Sequence, residues 1–166
     1  MNPYNKVTLS EPQELLLRAL LRHKVVFLVI GGQAILTYTS YRKTDDLDIL
    51  LSRSKINAEK VEKALQAKNW ISPNGLSLAG ELTQVKKLIA YPKEGYEKVA
   101  DLLTSIDGID FRHCFENSKK VIFNDLEVRV PSVKSLIEMK KVSIATKNLI
   151  ARKQDEDDIY QLTKLM

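Results

Sequence analysis

The chain has 166 residues and a formal net charge of +5, with 44% hydrophobic and 28% charged residues. These values are ordinary for one globular domain and exclude a disordered, collagen-like or coiled-coil chain. One cysteine, Cys114, excludes an internal disulfide framework, and with two histidines it supplies too few ligands for a Cys/His zinc site. No signal peptide is visible and the longest apolar run, residues 25–30, is too short to cross a bilayer, so we expect a cytoplasmic protein without a membrane partner.

The first third of the chain predicts a helix, a strand and a second helix. The sequence Ser10-Glu-Pro-Gln13 is typical of a capping box that begins a helix, and His23 closes that helix. Residues 25–30 are apolar and rich in β-branched types, which predicts a buried central strand. The pair Gly31-Gly32 then separates this strand from a short helix over residues 33–39.

The middle of the chain predicts a second strand over residues 46–51 and a helix from Ser54 to about residue 68. The core face of that helix is predicted as Ile56, Val61, Ala64 and Leu65. A turn is predicted at Pro73-Asn-Gly75, followed by a hairpin of strands over 85–91 and 98–104. The remaining elements are a short helix over 111–117, a hairpin around Asn124-Asp125, a helix after Pro131-Ser132, and a last helix carrying Ile159, Leu162 and Leu165. This order predicts one α/β or α+β domain with a mixed sheet.

The adjacent glycines after the first strand form a candidate anion site. Gly31 and Gly32 allow a ligand to approach the backbone closely, and free N–H groups at the start of a helix suit a phosphate. The pair is neither a dinucleotide fingerprint nor a P-loop, because the required Gly-rich spacing and the Gly-Lys-Ser/Thr sequence are absent. The alternative interpretation is a plain structural turn.

Two aspartates open the second predicted strand. Residues i and i+2 of a strand point to the same face, so Asp46 and Asp48 would project together and repel unless a cation lies between them. Mg²⁺ or Mn²⁺ is the natural partner, because hard cations bind carboxylate oxygens and keep positions for phosphates. The alternative is the solvent-exposed face of a half-buried strand.

A third acid is expected on a later strand. Asp101 interrupts an apolar run, where a lone carboxylate is costly and needs a cationic partner. Asp110 and Glu127 also have apolar neighbours and are the alternatives for this third position.

Together these motifs resemble the nucleotidyltransferase superfamily. Its signature is a Gly-Gly or Gly-Ser pair after a strand, then hydrophobic-Asp-x-Asp-hydrophobic, then a third acid. In this chain, 13 residues separate Gly31-Gly32 from Asp46-Leu-Asp48-Ile49. The resemblance is closer to compact bacterial proteins related to aminoglycoside and lincosamide nucleotidyltransferases and to abortive-infection and toxin–antitoxin nucleotidyltransferases. The segments that match this branch are Gly31-Gly-Gln-Ala34, Arg42-Lys-Thr-Asp-Asp-Leu-Asp48, Leu136-Ile-Glu-Met-Lys140 and Arg152-Lys-Gln-Asp-Glu-Asp-Asp158.

Two features depart from the family pattern. Gly32 stands where polymerase-like members have Ser, so that a phosphate contact there would use backbone alone. The gap between Lys140 and Arg152 is longer than the branch pattern suggests, which makes Lys140, Lys141 and Lys147 interchangeable candidates for the basic role.

The resemblance implies a nucleotidyltransferase-like mixed β-sheet with helices packed mainly on one side. It implies a single domain over residues 1–166, with a signature core over about 25–130 and C-terminal helices over 132–166.

The resemblance also implies an enzyme that transfers a nucleoside monophosphate from a triphosphate such as ATP to a hydroxyl group. The acceptor could be a small molecule, a protein or an RNA end. Asp46, Asp48 and Asp101 would hold two Mg²⁺ or Mn²⁺ ions, and Asp101 would also accept the hydroxyl proton. The implied nucleotide contacts are Gly31, Gly32, Gln33, Arg42, Thr44, Lys140, Arg152 and Lys153.

Two further expectations accompany this prediction. Tyr38, Tyr41 and Tyr91 are candidates to stack on a base, with core packing as the alternative. A catalytically inactive nucleotidyltransferase-like module, which binds a protein or nucleic-acid partner as an antitoxin or regulator, is the alternative function. The presence of all three acids favours the enzyme.

Overall fold

The computed structural model describes residues 7–66, 70–71, 87–92 and 98–166, and for 70–71 and 87–92 it describes the backbone. Within these ranges, helices and strands alternate through the first half of the chain, and a hairpin and two longer helices complete it. The elements are α1 (Glu11–Arg22), β1 (Phe27–Ile30), α2 (Gly31–Leu36), β2 (Asp48–Leu51), α3 (Lys55–Gln66), β3 (Trp70–Ile71), β4 (Lys87–Pro92), β5 (Ala100–Leu103), α4 (Phe111–Glu116), β6 (Lys119–Phe123), β7 (Leu126–Val130), α5 (Val133–Thr146) and α6 (Leu149–Thr163).

Five strands form one mixed sheet in the order β1-β2-β5-β4-β3. The pair β2–β5 is parallel, while β1–β2, β4–β5 and β3–β4 are antiparallel. The predicted mixed sheet and the predicted pairing of β4 with β5 are therefore confirmed. All four residues of β1 and the apolar residues of β2 are buried. The prediction that β1 is buried is confirmed, but the prediction that it is central is wrong, because β1 is the outermost strand of this sheet.

The second sheet is the hairpin β6–β7, whose strands are antiparallel. Asn124 in the turn has a left-handed backbone with φ 58°, a conformation that Asn tolerates better than most residues. Strand β7 packs beside β1. The predicted Asn124-Asp125 turn is confirmed.

Helix α1 begins as the capping box predicts. The Ser10 hydroxyl accepts a hydrogen bond from the Gln13 N–H at 3.3 Å, and the Ser10 N–H donates to Gln13 Oε1 at 3.0 Å. The two bonds satisfy donors that a helix start otherwise leaves unpaired. Leu16, Leu17 and Leu20 carry the buried face of the helix.

Two predictions about helix faces are wrong. Ile56 in α3 is 69% exposed, and the neighbouring Asn57 is buried in its place. The Asn57 side chain accepts from the Val26 N–H and donates to the carbonyls of Val26 and Ser52, at 2.7–2.9 Å. These bonds rotate the first turn so that Ile56 faces outward. In the last helix, α6 ends at Thr163, and Leu165 beyond it is half exposed.

The predicted turn at 73–75 and the connection between β4 and β5 lie outside the described residues. Among the described residues, no helix combines the length and apolar character needed to cross a membrane.

Candidate functional site

Asp48 and Asp101 lie side by side at the centre of the sheet. Asp48 is the first residue of β2, Asp101 is the second residue of β5, and the two are register partners in the parallel pair. Aligned residues on adjacent strands share a face, so both carboxyl groups project from the same side. Asp101 is buried, with 8% of its surface exposed. The chain thus brings two of its three predicted acids together.

Asp46 does not lie in the strand, contrary to the prediction of a strand over 46–51. Its N–H donates to the Thr44 hydroxyl at 3.3 Å, a local side-chain bond that competes with sheet pairing. Strand β2 therefore begins two residues later, at Asp48. The Asp46 side chain is 71% exposed.

An ammonium group connects the outlying Asp46 to the buried Asp101. Lys98 Nζ lies 3.9 Å from Asp46 Oδ1 and 3.3 Å from Asp101 Oδ2. Within the described part of the chain, no three His, Cys, Asp or Glu side chains are grouped closely enough to hold a metal ion as they stand. The predicted three-carboxylate cluster is therefore formed only in part, and Lys98 lies between two of its members.

Burial and the neighbouring charges change the pKa of Asp48. Burial, followed by the nearby carboxylates of Asp101 and Asp46, raises the pKa of Asp48 from 3.8 to about 6. The ammonium groups of Lys140 and Lys98 act in the opposite direction. A carboxyl group with this environment gains from a cation that neutralises it, and hard carboxylate oxygens are the donors that Mg²⁺ or Mn²⁺ prefers. The residues present therefore fit a divalent cation.

Gly31 and Gly32 leave room for the polar side chains beside them. Gly31 has φ 67°, and a Cβ at this position would overlap Asp48 Oδ2. A Cβ at Gly32 would lie 2.8 Å from Arg42 Nη2 and 2.9 Å from Thr44 Cβ. The first glycine thus allows the backbone to approach the Asp48 carboxyl group, and the second allows the 42–44 segment to pack against α2.

A cleft of about 540 Å³ opens between the end of β5, the loop that follows it, and helix α5. Its lining includes Gly31, Asp48 and Asp101 together with Lys140, Ser143 and Lys147. Apolar residues, among them Ile106, Leu136, Met139 and Val142, also line it. The cleft therefore combines carboxylates and lysines with apolar wall, as small-molecule sites with a few polar groups in an apolar lining do.

Lys140 and Lys147 are held by two buried aspartates of α6. Lys140 Nζ lies 2.7 Å from Asp155 Oδ1 and 2.8 Å from Asp158 Oδ2, and Lys147 Nζ lies 2.6 Å from Asp155 Oδ2. Ser143 donates its hydroxyl to Asp155 at 2.8 Å. Burial raises the pKa of the Asp155 carboxyl, but the hydrogen bonds from Lys140 and Lys147 outweigh it and leave the pKa below its ordinary value.

Arg42 joins the same cluster from the opposite side. Its Nε lies 2.9 Å from Asp158 Oδ1, and its Nη2 donates to Asp158 Oδ2 at 3.1 Å. The Tyr41 hydroxyl donates to Asp158 and accepts from Gln154. The chain Arg42–Asp158–Lys140–Asp155–Lys147 alternates in charge from the Gly32 turn to the cleft.

The sequence allows two interpretations of Asp155: an acid that orients the basic residues Arg152 and Lys153, or an acid of a helix N-terminus with Glu156 and Asp157. The second interpretation is wrong, because α6 begins at Leu149 and these acids lie in its middle. Asp155 does hold basic groups, but they are Lys140 and Lys147, and the role of Asp158 was not predicted. The available signal was the spacing: Asp155, Asp158 and Leu162 recur at i, i+3 and i+7, which places them on one helical face, and all three are buried.

Several predicted contact residues do not line the cleft. Gln33 is fully buried, and its amide nitrogen donates to the carbonyls of Thr8 and Thr44. Thr44 bonds the Asp46 N–H. Arg152 donates to the Lys147 carbonyl at 2.7 Å, and Lys153 is exposed on α6. These side chains support the loops and helices around the site.

The alternative acids and the tyrosines are engaged elsewhere. Asp110 caps α4 by accepting from the His113 N–H, and Glu127 forms an exposed ion pair with Lys120 on the hairpin. Tyr38 donates its hydroxyl to the Pro131 carbonyl at 2.7 Å. The Tyr91 side chain lies outside the described residues. The geometry thus favours Asp101 over Asp110 and Glu127 as the neighbour of Asp48.

Comparison with known proteins supports the fold assignment. No protein-family model and no curated protein sequence matches the chain. The chain is similar in structure to an antigenic nucleotidyltransferase-like protein from Paracoccidioides brasiliensis, with a TM-score of 0.57, 16% sequence identity, and coverage of 93% of this chain and 76% of that one. The chain therefore has a nucleotidyltransferase-like fold, as predicted from its sequence.

Proposed function

We propose that this chain is a Mg²⁺- or Mn²⁺-dependent nucleotidyltransferase, which transfers a nucleoside monophosphate from a nucleoside triphosphate to a hydroxyl group of an acceptor. The observation that carries the proposal is the cleft whose lining brings together Asp48 and Asp101 with Lys140 and Lys147. The nucleotidyltransferase-like fold supports the reaction class. The acceptor is a small molecule, a protein or an RNA end.

The carboxylates of the cleft would hold the cations. Asp101 supplies a buried carboxyl group and Asp48 a half-buried one beside it, and Asp46 supplies an exposed one that can turn toward them. Divalent cations held there would stabilise negative charge on the transferring phosphoryl group and favour ionisation of the attacking hydroxyl.

The lysines of the cleft would hold the triphosphate. Lys140 and Lys147 line the cleft, and their carboxylate partners Asp155 and Asp158 fix them in position. Gly31 also lines the cleft, and because it has no side chain it leaves room for the Asp48 carboxyl group. Arg42 would act indirectly. It holds Asp158 in position, and Asp158 in turn holds Lys140.

The reaction is an in-line displacement at the α-phosphate. The acceptor oxygen forms a new bond to phosphorus while the bond to the pyrophosphate leaving group breaks, and the hydroxyl proton passes to Asp101 as general base. Lys140 and Lys147 would neutralise charge that develops on the leaving pyrophosphate.

The test is label transfer. The protein is incubated with Mg²⁺ and each α-³²P nucleoside triphosphate, in the presence of cell RNA, a protein extract or a small-molecule extract. We expect labelled acceptor from the native chain and none from the double variant Asp46→Ala plus Asp48→Ala. A native chain that neither transfers label nor binds any of the nucleotides would refute the proposal.

A second candidate is an inactive nucleotidyltransferase-like binding module. The contact of Lys98 with Asp46 and Asp101 favours it, because an ammonium group there neutralises the carboxylates that the enzyme would use for metal. The two candidates differ in Mn²⁺ binding: the enzyme requires it, and a module with a permanent Lys98 contact does not bind Mn²⁺ at this site.

A further inference from the structure

Lys98 is an ammonium group inside the acid cluster. It lies two residues before β5, its Nζ is 3.3 Å from Asp101 Oδ2 and 3.9 Å from Asp46 Oδ1, and its side chain is 41% exposed. In the described part of the chain, both of its ion pairs are with members of this cluster. Lys140, the other cation near Asp48, is held by Asp155 and Asp158 on α6.

The position of Lys98 has an electrostatic reason. Burial, and then the nearby carboxylates of Asp101 and Asp46, disfavour the ionised form of Asp48. A cation within about 4 Å of both carboxylates reduces their repulsion of Asp48. Because its side chain is long and partly exposed, Lys98 can also leave the cluster by rotating into solvent, without disturbing the core.

We propose that Lys98 is a built-in counter-ion, which occupies the acid cluster while no divalent metal is bound and is displaced when the metal arrives. This inference rests on the proposed metal-dependent function of the same cluster. The ammonium group and the metal compete for the same oxygens of Asp46 and Asp101. Lys98 therefore stabilises the metal-free protein and weakens its affinity for metal.

Competition predicts two effects of opposite sign for Lys98→Met. Without metal, the variant loses the compensating cation and unfolds at a lower temperature than the native chain. With metal, the variant binds more tightly, because Lys98 no longer competes for the carboxylates and one positive charge is removed from the site. We expect Mn²⁺ to bind about tenfold more tightly to the variant. This factor corresponds to a native chain in which Lys98 is away from the carboxylates in about one tenth of the molecules, because apparent affinity falls in proportion to the binding-competent fraction.

The experiment measures Mn²⁺ binding and thermal unfolding on the same preparations. Free Mn²⁺ is followed by electron paramagnetic resonance during titration of the native chain, Lys98→Met and Lys98→Gln, and melting is recorded in EDTA and in excess Mn²⁺. Lys63→Met is the matched control, because Lys63 is an exposed lysine of α3 that does not line the cleft. It should leave both measurements at native values.

Each result bears on one of the two claims. Tighter Mn²⁺ binding together with lower melting in EDTA, in both Lys98 variants, supports displacement. Equal Mn²⁺ affinity in native and variant chains overturns the role of Lys98 and leaves the proposed function standing. Weaker binding in the variants overturns it too, since Lys98 would then assist the metal. No Mn²⁺ binding by any of the chains refutes the proposed function itself.

Discussion

Gly31 is the residue at which backbone conformation and site chemistry meet. It combines a left-handed backbone, φ 67°, with a position at which a Cβ would overlap the Asp48 carboxyl group. Gly108 provides a comparison, since its φ is 74° and, apart from its chain neighbours, no heavy atom of the described residues lies within 4 Å of the position that a Cβ would take. A comparison of the two positions therefore distinguishes the cost of a left-handed backbone from the cost of steric overlap.

We predict that Gly31→Ala is more destabilising than Gly108→Ala. Both changes place an alanine in the left-handed region, at a cost of about 1–2 kcal/mol. Gly31→Ala must also displace Asp48, which adds about 1–3 kcal/mol of overpacking. Urea unfolding of the two variants measures the difference, and equal free energies of unfolding would show that Asp48 does not pack on Gly31.

Asp48 makes stability depend on pH. Its pKa is raised to about 6 in the folded chain, chiefly by burial and then by Asp101 and Asp46, whereas an unfolded Asp titrates near 4. Between these values the folded chain binds more protons than the unfolded chain. The contribution is therefore fully present below pH 4 and is lost as pH rises through 6.

We predict that Asp48→Asn stabilises the metal-free protein at pH 8 but not at pH 4. A shift of about two pKa units corresponds to about 2–3 kcal/mol at pH 8, and a neutral amide avoids this cost. The measurement is the free energy of unfolding of both chains in EDTA at the two pH values. A variant that gains no stability at pH 8 would contradict the buried, crowded environment of Asp48.

At the scale of elements, α5 and α6 are joined by charge as well as by packing. Asp155 and Asp158 are both buried in α6, and they bind Lys140 and Lys147 of α5 and its C-terminus together with Arg42 of the loop before β2. A buried carboxylate in such a network is costly to remove, because its cationic partners stay behind.

We predict that Asp158→Asn destabilises the chain by about 3–5 kcal/mol, the range for breaking a buried ion pair. The adjacent Asp157 is exposed on the same helix, so Asp157→Asn is the control and should change stability by less than about 0.5 kcal/mol. Thermal or urea unfolding gives both values. Similar small effects at the two positions would mean that the Arg42 and Lys140 contacts contribute little.

Local sequence patterns predicted the elements well where a single segment decides the outcome. The capping box at Ser10 and the turn at Asn124 depend on neighbouring residues, and both are confirmed. The exposure of Ile56 and the burial of Asn57 depend on the Val26 and Ser52 backbone, which lies outside the helix. Periodicity within one helix contains no information about such a partner.

The candidate site likewise contains one contact that the sequence predicted and others that it did not. The neighbouring positions of Asp48 and Asp101 follow from two apolar strands that pair in parallel, and the sequence predicted both residues. The Asp155–Lys140 and Asp158–Arg42 contacts join residues that are 15 and 116 positions apart. Acid runs of this kind are usually solvated, so their burial became clear only from the packing of α6.

At the scale of the whole molecule, the net charge of +5 does not make the cleft basic. Arg42, Lys98, Lys140 and Lys147 all pair with carboxylates around the cleft. The cleft is therefore not a strongly basic surface, because the cations around it are paired with carboxylates. This arrangement suits a metal–triphosphate complex better than a long polyanion, whose recognition relies on many unpaired cations.

The most direct test of the central claim is the position of a bound metal ion. Crystals of the native chain grown with Mn²⁺ and a triphosphate whose α,β-bridge resists cleavage would be measured at the manganese absorption edge. We predict an anomalous peak in contact with Asp48 and Asp101, with the triphosphate extending toward Lys140 and Lys147. A crystal with nucleotide bound but no peak at these carboxylates, or with manganese held elsewhere, would contradict this prediction.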